Sequence, residues 1–182
     1  FAVLLGGAVA LLPIYARDIL HAGPLGLGVL RAAPAAGALS MSLILARWPL
    51  QRFVGRRLLL AVAAFGLATL VFGVATHFAV ALVALAATGA ADMVSVVIRQ
   101  TLVQLETPDE MRGRVSAVNS IFIGASNQLG EFESGVTAAW FGAVGSVVLG
   151  GVGTLCIAGL WLRLFPALAQ RDRMQPDSPR LA

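Results

Sequence analysis

Long apolar runs alternate with short charged clusters along this chain, and the runs set the predicted elements. Residues 1 to 16 form an apolar run closed by YARDILHAGP, where Arg17, Asp18, Gly23 and Pro24 mark a loop. A second run, 24 to 46, carries one interior charge, Arg31, and ends at RWPLQRFVGRR. The third and fourth runs, 57 to 76 and 78 to 98, are separated only by Thr76 and His77, which predicts an antiparallel hairpin. The stretch RQTLVQLETPDEMRGRV follows at 99 to 115. A fifth run, 115 to 140, is the most polar, and a sixth, 143 to 165, leads into QRDRMQPDSPRLA, a polar, proline-containing tail predicted to be mobile. These runs approach the ~20 residues a helix needs to cross ~30 Å of hydrocarbon, and the alternating polarity of a barrel strand is missing. The expected architecture is an all-α membrane protein with six transmembrane helices over residues 1–170 and a cytoplasmic tail at 171–182.

Composition agrees. The chain is 58% hydrophobic and 12% charged, with a mean hydropathy of +0.86, whereas charged residues make up about 25% of soluble domains. Cys156 is the single thiol and sits in an apolar run, so no intrachain disulfide can form. Phe1 opens inside a hydrophobic run with neither an initiator Met nor a basic leader, which suggests a fragment of a longer protein.

Charge placement predicts orientation. Six spans divide the connections into two sets. One holds Arg47, Arg52, Arg56, Arg57, Arg99, Arg112, Arg114, Arg163, Arg171, Arg173 and Arg180, and the other holds only Arg17. By the positive-inside rule the first set is cytoplasmic, and both ends of the chain with it. This topology, together with anionic lipid, accounts for the net charge of +4 without a nucleic-acid partner.

The charged stretch at 99 to 115 then becomes a cytoplasmic connection. Its centre, TPDE, reads as a helix start, with Thr107 as N-cap, Pro108 in the first turn, and Asp109 and Glu110 near the positive end of the dipole. Glu110, three residues after Thr107, would complete a capping box. Arg112 and Arg114 would face lipid phosphates or acidic groups on neighbouring helices.

RQTLVQ at 99 to 104 followed by TPDEMRGRVSAV at 107 to 118 resembles the connection between helices ten and eleven of bacterial major facilitator superfamily exporters, in the branch of enterobactin-exporter-like and drug-efflux proteins. LLPIYARDIL at 11 to 20 and LGLGVLRAAPAAGAL at 25 to 39 resemble helices seven and eight of that branch. The resemblance covers essentially the whole chain and implies the C-terminal six-helix half of a twelve-helix transporter in the bacterial inner (plasma) membrane. Its missing partner would be the N-terminal six-helix half, and its helices would form two groups of three related by an inverted repeat. Gly55, Arg56 and Arg57 resemble the superfamily's basic loop, a cytoplasmic gate, but Gln51 stands where an acidic residue is usual. A positive-inside anchor explains the arginines equally well.

Ionisable residues inside spans cost about 2.5 to 3.5 kcal/mol each on insertion scales and usually face a cavity or a partner. Four qualify: Arg31, Asp92, Glu131 and Glu133. Arg31, Glu131 and Glu133 lie at similar depth in the outer half, which permits an ion pair between Arg31 and a glutamate, and Asp92 lies deeper. Asp92 and Arg99, nearly two turns apart, share one helix face about 10 Å apart and could end a polar track, although an interfacial snorkel is the simpler role for Arg99. Asn127, Gln128, Glu131 and Ser134 share a second face, as expected of a helix with one side toward water or substrate, and Glu133 projects elsewhere. Carboxylates in partly dehydrated cavities can exchange protons near neutral pH. Glu131 or Asp92 is therefore a candidate for the coupling proton, with Arg31 biasing the competition between them. A packing network is the alternative role for the same residues.

Small residues recur every four positions at Ser146, Gly150, Thr154 and Ala158, and at Ala32, Ala36 and Ser40, which predicts close helix packing. Pro13 and Pro34 can kink the first two spans.

Catalysis finds little support. With no Lys there is neither a Walker A motif nor a Schiff-base lysine. His21 and His77 lie near outer loops and outside any metal-binding pattern, and Gly124-Ala125-Ser126, which resembles the nucleophile region of a six-helix serine protease, lacks a later-helix His. No cofactor is expected. The expected function is secondary active transport, proton-coupled efflux of small amphipathic molecules or siderophores. A passive channel or a structural six-helix module is the alternative.

Overall fold

The structure, a computed structural model, describes residues 9–48 and 54–164, all of whose regular elements are helical. The expectations placed on Gln51, Arg52, Arg171, Arg173, Arg180 and the tail lie outside the described residues. Helix α1 comprises Leu12–Ile14 and the π turn Tyr15–Ile19 that continues it. Helix α2 is Pro24–Arg47, α3 is Val54–Gly73 and α4 is Phe78–Glu106. A short 3-10 turn, Asp109–Met111, precedes one long helical segment, Arg112–Leu164.

That last segment is two helices. Gly142 has φ 75° and ψ 167°, a region essentially closed to residues with a side chain. A straight helix would hold residues 134 and 146 about 18 Å apart. Instead, Ser146 Oγ donates to the Ser134 carbonyl at 3.1 Å and lies 2.7 Å from Thr137 Oγ1. The chain therefore folds back at Gly142 into α5, 112–141, and α6, 143–164. Four segments are long and apolar enough to cross a membrane, namely Pro24–Arg47, Val54–Gly73, Phe78–Leu105 and Asp109–Leu164, and the last holds both arms of this hairpin.

Helix boundaries follow local chemistry. Pro24 stands in the first turn of α2, where its missing N–H is no loss. Helix α4 runs eight residues past the predicted end at 98, because no breaker occurs before Pro108. The residue preceding that proline, Thr107, is extended at φ −98°, ψ 126°. The predicted capping box does not form. Thr107 Oγ1 donates back to the Val103 carbonyl at 2.6 Å, so the hydroxyl serves the end of α4 and not the start of the next helix.

Helix α2 packs on α4, α4 on α3, and α3 on the hairpin of α5 and α6. Two seams rest on glycine. A Cβ at Gly37 would run into the Ala86 carbonyl, and one at Gly89 into the Pro34 carbonyl, so α2 and α4 cross backbone to backbone. Gly66 and Gly151 do the same for α3 and α6, where a Cβ on either would come 3.2 Å from the other's carbonyl oxygen.

The row Ser146, Gly150, Thr154, Ala158 does pack, with Ser146, Thr154 and Ala158 buried. Ala32, Ala36 and Ser40 face outward, contrary to expectation, and Ala33 and Gly37 take the seam in their place. Tyr15 anchors the other end of the bundle. It is fully buried, its ring centroid lies 4.6 Å from that of Phe72, and its hydroxyl donates to the Gly73 carbonyl at 2.9 Å.

Candidate functional site

Helices α4 and α5 stand apart along most of their length, and the gap between them is polar. A cleft of about 510 Å³ is lined by Thr88, Asp92, Arg99 and Gln100 of α4 and by Asn127 and Glu131 of α5, with Pro34, Phe65, Leu85 and Gly89 among its apolar walls. The glycine crossing explains why Asp92 opens here. Gly89, one turn before it, lets α2 press against the α4 backbone, so Pro34 closes the cleft on that side.

Asp92 and Arg99 form an ion pair, Nη2 to Oδ1 at 3.8 Å, and Arg99 Nε donates to the Ser95 carbonyl at 3.2 Å. The snorkel expected of Arg99 is thus replaced by a reach back along its own helix. Helical side chains lean toward the N-terminus, and a guanidinium on a three-carbon stem spans most of the separation between the two backbones. Both side chains are a little over one-third exposed. One turn along, the Ser95 hydroxyl is buried and makes no hydrogen bond among the described residues.

The remaining predicted residues divide clearly. Asn127 and Glu131 line the cleft with Asp92 and Arg99, whereas Gln128, Glu133 and Arg31 do not. Arg31 is exposed on α2, and the ion pairs among the described residues do not join it to Glu131 or Glu133. Helices α2 and α5 have no substantial packing against each other, so similar depth did not bring these side chains together. Glu133 is half-buried, and its carbonyl accepts from Thr137 Oγ1 at 2.9 Å.

Arg56 is exposed and Arg57 half-buried in the first turn of α3, and Arg114 is exposed. Arg112 is committed locally. Its Nη1 pairs with Asp109 Oδ1 at 2.7 Å, and its Nε faces the carbonyls of Gln104 at 3.2 Å and Thr107 at 3.3 Å. It therefore ties the C-terminal carbonyls of α4, which have no helical partner, to the connecting loop.

Sequence reasoning missed Thr88, Gln100 and a second cleft. That cleft, about 370 Å³, is lined by Gln100, Gln104, Thr107, Arg112, Ser116, Asn119, Ser120 and Ile123 together with Val103, Gly113 and Val115. A signal was present, since Gln100 and Gln104 are four apart and Ser116, Ser120, Asn127 and Glu131 fall near one helical face.

Comparison with known proteins agrees with a membrane carrier. The family model described as "transmembrane secretion effector" matches residues 1–179. An uncharacterized MFS-type transporter of Bacillus subtilis (strain 168), YvqJ, is 29% identical over 164 residues, which cover 90% of this chain and 38% of that protein. The chain thus spans well under half the length of that curated relative. No solved structure matches. Apolar helices able to cross a bilayer, a polar cleft between two of them and a family match along nearly the whole chain lead to one assignment: the chain belongs to the transmembrane secretion effector family of the major facilitator superfamily.

Proposed function

We propose that this chain is the C-terminal six-helix half of a secondary active transporter that exports small amphipathic molecules or siderophores in exchange for protons. The observation that carries this reading is the grouping of Asp92, Arg99, Asn127 and Glu131 around one cleft between apolar helices. Charged groups inside spans are costly unless they serve a cavity or a partner; here Asp92 and Arg99 pair with each other and Glu131 lines the same cleft.

In this reading a proton on Asp92 weakens its hold on Arg99 and changes the charge the cleft offers to substrate. Glu131 is the second proton-binding group, and Arg99 takes the countercharge role considered for Arg31. Two carboxylates against one guanidinium suit a cationic or amphipathic solute. The arginine-rich connections, Arg56, Arg57, Arg112 and Arg114 among them, face the cytoplasm of a bacterial plasma (inner) membrane, and an N-terminal six-helix half supplies the surface against which the bundle rocks.

The test is gradient-driven transport in everted membrane vesicles with ethidium as a cationic amphipathic probe. Asp92→Asn and Glu131→Gln are expected to reduce protonophore-sensitive accumulation. Unchanged coupling in both variants would remove the proposal, and movement only down the gradient would mark a passive channel.

A further inference from the structure

The two clefts share a wall, because Gln100 and Ile123 line both. We infer that the groove between α4 and α5 is one water-accessible channel, leading from the Arg112 end of the bundle to Asp92 and Glu131, with Ile123 as its constriction. This rests on the reading of Asp92 and Glu131 as the transport site, but the test below measures access and not transport.

Three observations support it. The outer chamber presents the amides and hydroxyls of Gln100, Gln104, Ser116, Asn119 and Ser120 beside Val103 and Val115, and Arg112 at its rim is already paired with Asp109 at 2.7 Å. Polar side chains stand along one side of α5 at Ser116, Asn119 and Ser120 and again at Asn127 and Glu131. In hydrocarbon such a line would be a standing cost, and water in the groove removes it. Ile123 interrupts this line at the junction and is 39% exposed toward the gap. A branched apolar side chain at the junction of two clefts that each carry polar groups favours dewetting there, which is how hydrophobic constrictions close a path.

Cys156 is the only cysteine of this chain, so Cys156→Ser, with every cysteine elsewhere in the full-length protein also replaced by serine, gives a background for single-cysteine labelling in the intact membrane-embedded protein. Ser120→Cys reports on the outer chamber and Asn127→Cys on the inner one. The probe is a membrane-impermeant methanethiosulfonate bearing a trimethylammonium group, applied to the membrane face that carries Arg112. Both cysteines are expected to react. Adding Ile123→Trp should slow labelling at 127 about tenfold and leave labelling at 120 within about twofold, while Ile123→Ala should speed labelling at 127. A rate at 127 that ignores both substitutions, or labelling at 127 only from the opposite face, overturns the inference. If Ile123→Trp does not accumulate, Ile123→Ala decides alone, and an unchanged rate counts against the channel. Loss of the coupling roles of Asp92 and Glu131 would leave this order of access intact, so the two readings fail separately.

Discussion

Arg99 reaches back seven residues along α4 to bring its guanidinium within 3.8 Å of the Asp92 carboxylate. The pair is internal to one helix, so its geometry survives any movement of α4 against its neighbours. Removing one member leaves a single charge inside a span, and removing both does not. Asp92→Asn and Arg99→Gln should each lower thermal stability in detergent, and the double variant should lose less than the sum of the two. The expected interaction energy is about 0.5 to 1 kcal/mol, at the lower end for coupled charges because both groups are partly solvated. Additive losses would mean that the pair contributes nothing as a pair.

Gly89 should be among the least tolerant positions in the bundle. Gly89→Ala places a methyl on the Pro34 carbonyl, and relief requires moving two helix backbones, for about 1 to 3 kcal/mol. Gly28, which has open space where a side chain would stand, is the control, and Gly28→Ala should change stability by no more than about 0.5 kcal/mol. The comparison is a melting curve of each purified variant.

The hairpin of α5 and α6 is held by a glycine conformation and a hydroxyl clasp. Ser146→Ala removes both the contact with Thr137 and the bond to the Ser134 carbonyl. Buried hydrogen bonds between membrane helices average about 0.6 kcal/mol and reach about 1.7. Gly142→Ala forces an alanine into a backbone region that costs about 1 to 3 kcal/mol. Both variants should speed hydrogen exchange of the amides from 137 to 147, the glycine change more strongly.

Arg112 has a local role that hydrogen exchange can isolate. Arg112→Ala frees the carbonyls of Gln104 and Thr107 and releases Asp109. Amides from 104 to 111 should exchange faster, while those of α3 and the inner half of α4 keep their protection. Because the guanidinium is half-exposed, global stability should fall by less than about 1 kcal/mol.

Ser95→Ala is expected to be neutral or mildly stabilising, since it deletes a buried hydroxyl that has no hydrogen bond among the described residues. A clear loss of stability or transport would reveal a partner for that hydroxyl in the assembled protein.

Element positions were largely legible because hydrophobic length and proline placement act locally. Pro24 marks the start of α2, and the expected break between residues 140 and 143 coincides with Gly142. Side-chain partnerships were not legible, for reasons that differ by site. In RAAPAAGALS nearly every position is small, so size alone could not separate the Ala33 and Gly37 face from the Ala32 and Ala36 face. The polarity of 99 to 106 predicts a connection, whereas the stretch continues α4 into the polar margin of the bundle. The backbone separation of Asp92 and Arg99 does not contain how far and in which direction an arginine extends. Helical phase groups Asn127 and Glu131 on one face, together with Gln128, which does not line the cleft. Their partners on α4 required the separation of the two helices, which periodicity within one segment does not contain.

The seam at Gly66 and Gly151 determines how force travels through this bundle. With neither glycine carrying a side chain, α3 and α6 touch through their main chains, and such a junction has little slack. Helix α6 is in turn clasped to α5, so the wall bearing Glu131 is geared to α3 and leans when α3 leans. The opposite wall, with Asp92, is geared to α2 through Pro34. Widening the gap between the acids therefore demands that two stiff couples swing apart, and their shared axle is the packing of α3 on α4.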